Sequence, residues 1–105
     1  MGDRRQIHFN FGEEGKIVFY SHWGGYFMTE NFARALQKAK PRWGDDPYFV
    51  RIILSQFLKE DIDGETGYGI APYDMDTEYE DFHIDLKNKT VNGKSYQKFI
   101  DYHIG

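Results

Sequence analysis

The residues best suited to ligand binding are concentrated in the run YSHWGGY at positions 20–26. Two consecutive glycines allow backbone amides to approach an anion closely. His22 can donate a hydrogen bond to a phosphate or carboxylate, and the Trp23 ring offers a stacking face for a planar group. We therefore expect a ligand-binding loop formed by Tyr20, His22, Trp23, Gly24 and Gly25. The alternative is that Trp23 belongs to the core and that the glycines only turn the chain.

A second candidate is the pair Arg42-Trp43, which lies between two predicted helices. A guanidinium forms a planar fork that suits phosphate, and an adjacent indole suits stacking on a base. Arg51 interrupts the apolar sequence of the following helix, so that the two guanidiniums could converge. The alternative is that Trp43 fills the gap between the helices while both arginines pair with acidic neighbours, for example Asp45 or Asp46.

The glycine-rich stretch around Gly64 contains acidic residues, but its spacing does not match a calcium-binding EF-hand loop. With Gly64 at the sixth position of such a loop, Lys59 and Ile70 would occupy the first and last positions, where carboxylates are required. We interpret the glycines instead as shaping a loop that brings Thr66 and Tyr68 over a pocket.

Motifs for catalysis are absent from the sequence, which contains no cysteine, hydrolase triad, Walker loop or dinucleotide fingerprint. The histidines are scattered, and none belongs to a metal-binding pair of the HExxH type; they are His8, His22, His83 and His103. On a strand, His83 and Asp85 would share one face, either as a general base with its orienting carboxylate or as a solvated surface. These observations do not support an enzyme, and they assign no catalytic residue, metal or cofactor.

A small number of strands and helices must position these residues. Alternating apolar residues, or β-branched and aromatic enrichment, predict strands at 6–11, 16–23, 68–73, 82–86 and 90–91. Helical periodicity begins after Thr29 and stops before Pro41, and the Asp46-Pro47 pair is typical of the start of a second helix. Ser95 is a candidate N-cap for a third helix.

The order of these elements, ββααβββα, predicts the fold class. Hairpins rather than βαβ crossovers indicate an α+β domain, with an antiparallel sheet of about four to five strands and two or three helices on one face. Pro72 favours an edge position for the strand at 68–73. With 105 residues, we expect one domain that spans residues 1–105.

Charge is distributed unevenly along the chain. Residues 60–86, which we call the acidic segment, contain ten Asp and Glu residues and no Lys or Arg, whereas the rest of the chain is net positive. The overall charge of -4 and the lack of a contiguous basic patch argue against nucleic-acid binding. The absence of a long apolar run and of a signal-peptide pattern predicts a cytoplasmic protein that does not contact a membrane.

Five sequence blocks are specific in combination: MGDR at 1–4, YSHWGG at 20–25, RWGD at 42–45, YxxRII at 48–53 and DGETGYGI at 63–70. Together they resemble a family of small uncharacterised proteins encoded by bacteria and their phages. The resemblance spans about residues 1–91 and brings no settled activity. It implies a phage or prophage setting, in which small proteins counter host defence, some by sequestering nucleotide signals.

Together, the residues and the resemblance lead to one functional hypothesis and two alternatives. The first is a non-enzymatic sponge for a small phosphorylated, nucleotide-like signal, acting in the host cytoplasm and completed by homo-oligomerisation. The second is an acidic protein-interaction inhibitor or nucleic-acid mimic that uses the acidic segment. The third is a metal-assisted hydrolase of a small nucleotide that uses His83 and Asp85 or His22.

Overall fold

The computed structural model describes residues 4–22, 28–59, 62–77 and 80–105, and it confirms the α+β class. Within these residues, six strands form a single sheet, and three α-helices accompany it. The strands are β1 (Arg5–Asn10), β2 (Lys16–Ser21), β3 (Tyr68–Ala71), β4 (Phe82–Asp85), β5 (Thr90–Val91) and β6 (Lys94–Ser95). The helices are α1 (Met28–Lys38), α2 (Asp46–Leu58) and α3 (Tyr96–His103).

The sheet is mixed rather than antiparallel, which corrects the sequence prediction. Its strand order is β3-β2-β1-β4-β5-β6, and β1 and β4 run parallel. Alternation shows that a strand exists but does not identify its neighbour, so it does not reveal the parallel pairing. The predicted strand count is too low because β6 consists of only two polar residues, which show no alternation; it follows a tight turn in which Asn92 and Gly93 both have positive φ. As predicted, the strand that precedes Pro72 lies at an edge of the sheet.

The three helices pack against one face of the sheet, and aromatic rings form much of that contact. Phe32 of α1 is fully buried, and its ring lies 5.0 Å from that of Phe82 and 5.3 Å from that of Phe99. Phe57 of α2 lies 5.4 Å from Phe19 of β2. The α+β layering therefore depends on aromatic side chains that join strands and helices distant in sequence.

Local sequence signals fix the helix ends. Pro47 lies in the first turn of α2, where a missing backbone N–H costs nothing. The Ser95 side chain accepts a hydrogen bond of 3.2 Å from the Lys98 amide, so it caps α3 as predicted. The chain after α1 tightens into a single 3-10 turn at Lys40–Arg42 that contains Pro41.

The connection from β3 to β4 crosses the other face of the sheet. We call residues 72–81 the crossing segment, of which 72–77 and 80–81 are described. Gln6 of β1 lies beneath it, 2% exposed, and donates to the Met75 carbonyl while accepting from the Met75 amide, both at 3.0 Å. Val18 of β2 lies on the same face and is fully buried. This segment therefore covers the face of the sheet that the helices leave uncovered.

We predict that Phe32→Ala lowers the free energy of unfolding by ~3–5 kcal/mol, because it removes a ring that two other rings contact. Urea denaturation followed by circular dichroism measures this change. Lys38→Ala, at the exposed end of the same helix, is the matched control and is expected to change stability by less than about 0.5 kcal/mol. Equal effects of the two substitutions would contradict the assigned core.

Candidate functional site

Three adjoining depressions run along the C-terminal half of α2, and we call them together the α2 groove. Their volumes are about 330, 270 and 390 Å³. Tyr68 lines the first and second depressions, Leu58 lines the second and third, and Lys59 lines the first and third. The shared lining residues make the three depressions one continuous surface, and each is near the lower end of the ~300–1,000 Å³ range of small-molecule sites.

The charged side chains that the structure describes in the α2 groove are basic. Among the described residues that line it, the charged side chains are Arg51 and Lys59, and both are exposed. They lie with Ser55 at i, i+4 and i+8 on α2, which places all three on one stripe of the helix. Neutral hydrogen-bonding groups come from Asn31 and Gln56. The groove can therefore attract an anion and also satisfy polar groups attached to it.

The floor of the groove is set by the entry into β3. Gly67 has φ +105°, a conformation that favours glycine, and its carbonyl accepts a 2.7 Å hydrogen bond from the His22 amide. This contact fixes the start of β3 beside β2, where the Tyr68 ring stacks on Phe19 with 5.4 Å between centroids. Thr66 and Tyr68 both line the second depression.

The structure brings three of the sequence-derived candidates to this groove, namely Arg51, Thr66 and Tyr68. Arg42 and Trp43 lie instead beyond the opposite end of α2. The indole N–H of Trp43 donates to the Leu36 carbonyl at 2.9 Å, and its ring meets the Tyr96 ring edge to face at 5.2 Å. The alternative in which Trp43 fills a gap beside the helices therefore describes its packing. The Arg42 guanidinium lies 5.6 Å from the centre of the Tyr48 ring.

The remaining candidates belong to the end of β2. Tyr20 lies on the sheet face opposite the helices, and its hydroxyl is 2.8 Å from Nδ1 of His22. Trp23, Gly24 and Gly25 lie outside the described residues. The described end of β2 therefore contributes a Tyr20–His22 hydrogen bond, which lies on a different face from the α2 groove.

A second polar centre lies under the crossing segment, and the sequence patterns do not predict it. The pairing of β1 with β4 places His8 directly opposite His83, and their rings stack with 4.4 Å between centroids. Nε2 of His8, a residue only 3% exposed, lies 2.9 Å from Oδ2 of Asp81. Histidines at the polar positions of two alternating strands are the available signal, but using it requires knowledge of the strand pairing.

The expected orienting role of Asp85 toward His83 is not what its hydrogen bonds show. Its carboxylate accepts from the amides of Lys87 and Asn88 at 3.1 and 3.2 Å, and from Nδ2 of Asn88 at 2.8 Å. The hydrogen bonds from Asn88 lower the pKa of Asp85 below its usual value of 3.8. Asp85 therefore stabilises the turn after β4.

Asp74 is also occupied within the fold. Its carboxylate accepts a hydrogen bond from Nζ of Lys16, and this bond lowers the pKa of Asp74 below its usual value. Together with Asp81 and Asp85, it makes three carboxylates of the acidic segment that serve intramolecular contacts. The surface available for a nucleic-acid mimic is smaller by these groups.

A smaller depression of about 190 Å³ lies between α3 and the β5–β6 edge. It is lined by Arg5, Lys94 and His103 together with Tyr102, whose ring lies 5.0 Å from Nζ of Lys94. The Arg5 side chain is held over the Phe82 ring at 4.0 Å, and its Nε donates to the Glu80 carbonyl at 2.8 Å. Desolvation, followed by the charges of Lys94 and Arg5, lowers the pKa of His103.

Comparison with known proteins gives no family: no family model, curated protein or solved structure matches this chain. Among the described residues, no helix has both the length and the apolar character required to cross a bilayer.

We predict that His103 titrates below its usual pKa of 6.5, because burial and two neighbouring cations disfavour its charged form. The stability that this group contributes is then present above the unfolded pKa and is lost as the pH falls through the folded pKa. NMR titration of the imidazole measures the midpoint, which Lys94→Gln should raise by removing a like charge. A midpoint at or above 6.5 in the native chain would contradict this electrostatic description.

Proposed function

We propose that this protein binds a small phosphorylated, nucleotide-like ligand in the α2 groove and sequesters it without chemical conversion. The observation that carries the proposal is the composition of the groove. Its charged members among the described residues, Arg51 and Lys59, are both basic, and they share the groove with the Tyr68 ring. A cationic wall beside an aromatic surface is what a phosphate joined to a planar base requires.

Arg51 and Lys59 offer different kinds of contact to phosphate. The Arg51 guanidinium can hold two phosphate oxygens in a bidentate contact, whereas the Lys59 ammonium acts as a compact charge. The amides of Asn31 and Gln56 supply donors and acceptors for the edge of a base. Apolar contacts along the same surface come from Leu58. The proposed ligand therefore has an anionic end, a planar body and polar edge atoms.

The biological role follows from the resemblance to small phage proteins. A binding protein of this type acts in the host cytoplasm by lowering the free concentration of a nucleotide signal, and such signals activate bacterial defence. Sequestration requires affinity but no catalytic group, which agrees with a groove whose lining offers hydrogen-bond donors and cations. The acidic segment supports the inhibitor alternative less well, since Asp74, Asp81 and Asp85 already contact other groups of the same chain.

A second copy of the chain is the proposed partner that closes the groove. Ile62 and Ile70 line the groove and are 78% and 55% exposed, so apolar surface is available beside the cationic wall. Among the described strands, β3 also lies at an edge of the sheet, the position at which another chain can add a strand. Burial of these groups between two copies would enclose a ligand more fully than one copy can.

We predict that a panel of cyclic oligonucleotides and ADP-ribose derivatives contains a compound that raises the melting temperature of the protein. Arg51→Ala and Lys59→Ala should each weaken its binding by about 10- to 150-fold, the equivalent of one charged hydrogen bond. Isothermal titration calorimetry measures these affinities. Arg34→Ala removes an exposed arginine of α1 that is not among the groove residues, and it should leave the affinity unchanged.

Further measurements distinguish sequestration in the α2 groove from turnover and from binding elsewhere on the chain, and they test whether a second copy takes part. Recovery of the intact compound after prolonged incubation, checked by mass spectrometry, distinguishes sequestration from turnover. Light scattering during the titration tests whether two copies close on the ligand. If no compound in the panel shifts the melting temperature, or if Arg34→Ala weakens binding as much as Arg51→Ala does, the α2 groove is not the ligand site.

A further inference from the structure

We propose that His8, Asp81 and His83 form a binding site for a divalent transition metal ion, such as Zn²⁺. Each residue offers one ligand atom, and the three atoms lie within 4.8 Å of one another. The site is on the sheet face opposite the helices, away from the α2 groove, and it does not depend on nucleotide binding there.

The backbone places the two imidazoles without any loop having to adjust. His8 and His83 are directly opposite each other in the parallel register of β1 and β4, so their side chains leave the sheet on the same face. The rings are nearly parallel, with an interplanar angle of 16°. Asp81 immediately precedes β4 and already contacts Nε2 of His8 at 2.9 Å. The ligands thus come from two paired strands and from the residue next to one of them.

Hydrogen bonds from neighbouring groups hold the Asp81 carboxylate in place. Oδ1 of Asp81 accepts a 3.2 Å hydrogen bond from the Thr77 hydroxyl, and Oδ2 accepts a 3.1 Å bond from Nε2 of Gln6. On the other side of the imidazole, Nδ1 of His8 faces Oδ1 of Asp74 at 3.8 Å. At 3.8 Å this carboxylate is beyond hydrogen-bond distance, but it lies on the side from which the outer contact of a metal-bound histidine usually comes.

The donor set selects the class of ion. Two imidazoles and one carboxylate suit Zn²⁺, Fe²⁺ or Co²⁺, whereas Ca²⁺ and Mg²⁺ prefer oxygen ligands. A metal ion lies in the plane of each imidazole ring that binds it, and two stacked rings cannot both meet this condition, so one ring must rotate on binding. The His83 side chain is exposed, and it can make that movement more easily than the buried His8.

Occupation of the site would join the crossing segment to the sheet. Asp81 belongs to that segment, whereas His8 and His83 belong to β1 and β4. Without a metal, the His8–Asp81 contact would only join β1 to the crossing segment. His83 distinguishes the two roles: a metal site requires its imidazole, whereas the contact between His8 and Asp81 does not.

The test consists of two titrations of the full chain. Calorimetry monitors the titration with Zn²⁺, and the visible d–d absorption monitors the titration with Co²⁺. We expect one ion per chain and a rise in melting temperature. His83→Gln should weaken binding by ~100-fold or more, beyond the 10- to 100-fold effect typical of losing an outer contact. His103→Gln, which removes a histidine of α3 outside the cluster, should leave the affinity unchanged.

A second pair of variants tests the orienting contact. Thr77→Val should weaken Zn²⁺ binding by about 10-fold, and Thr77→Ser, which keeps the hydroxyl, should restore it. The melting temperature of the metal-free variants shows whether each one folds. The proposal is overturned if the native chain binds Zn²⁺ no better than His83→Gln, or if Mg²⁺ competes with Zn²⁺ at equal concentration.

Discussion

Gln6 and His8 are 2% and 3% exposed, and polar groups at that depth destabilise a fold by ~1–3 kcal/mol each when nothing replaces their contacts with water. The crossing segment supplies the replacements. Met75 pairs with the Gln6 amide through its own backbone N–H and C=O, and Asp81 meets His8. Because β2 and β1 separate β3 from β4 in the sheet, the segment that joins β3 to β4 has to cross both strands, and it covers these polar groups as it does so.

This path divides the chemistry of the domain between two faces. The crossing segment brings carboxylates to one side, where they meet Lys16 and His8. The helices cover the other side with aromatic contacts, and the exposed stripe of α2 carries Arg51 and Lys59. A phosphate approaching the α2 groove therefore meets basic side chains, while a cation approaching the opposite face meets imidazole and carboxylate groups.

Much of the local structure could be predicted from the sequence, because it depends on neighbouring residues. The start of α2 at the Asp46-Pro47 pair and the cap at Ser95 are short-range signals of this kind. The parallel pairing of β1 with β4 is not, since alternation in each strand is compatible with several partners. For the same reason, Arg51 and Tyr68 could be selected by residue type, whereas the meeting of His8 with His83 could not.

The uneven charge of the chain takes on a structural meaning in this arrangement. An acidic segment and a basic remainder would attract each other in any compact state, but the attraction alone does not choose which residues meet. The choice follows from geometry: Asp74 and Asp81 lie in the part that crosses the sheet, so they pair with groups of β1 and β2. Arg51 in α2 and Lys59 just after it lie on the other face, away from these carboxylates, and among the described residues they are the charged groups that line the α2 groove.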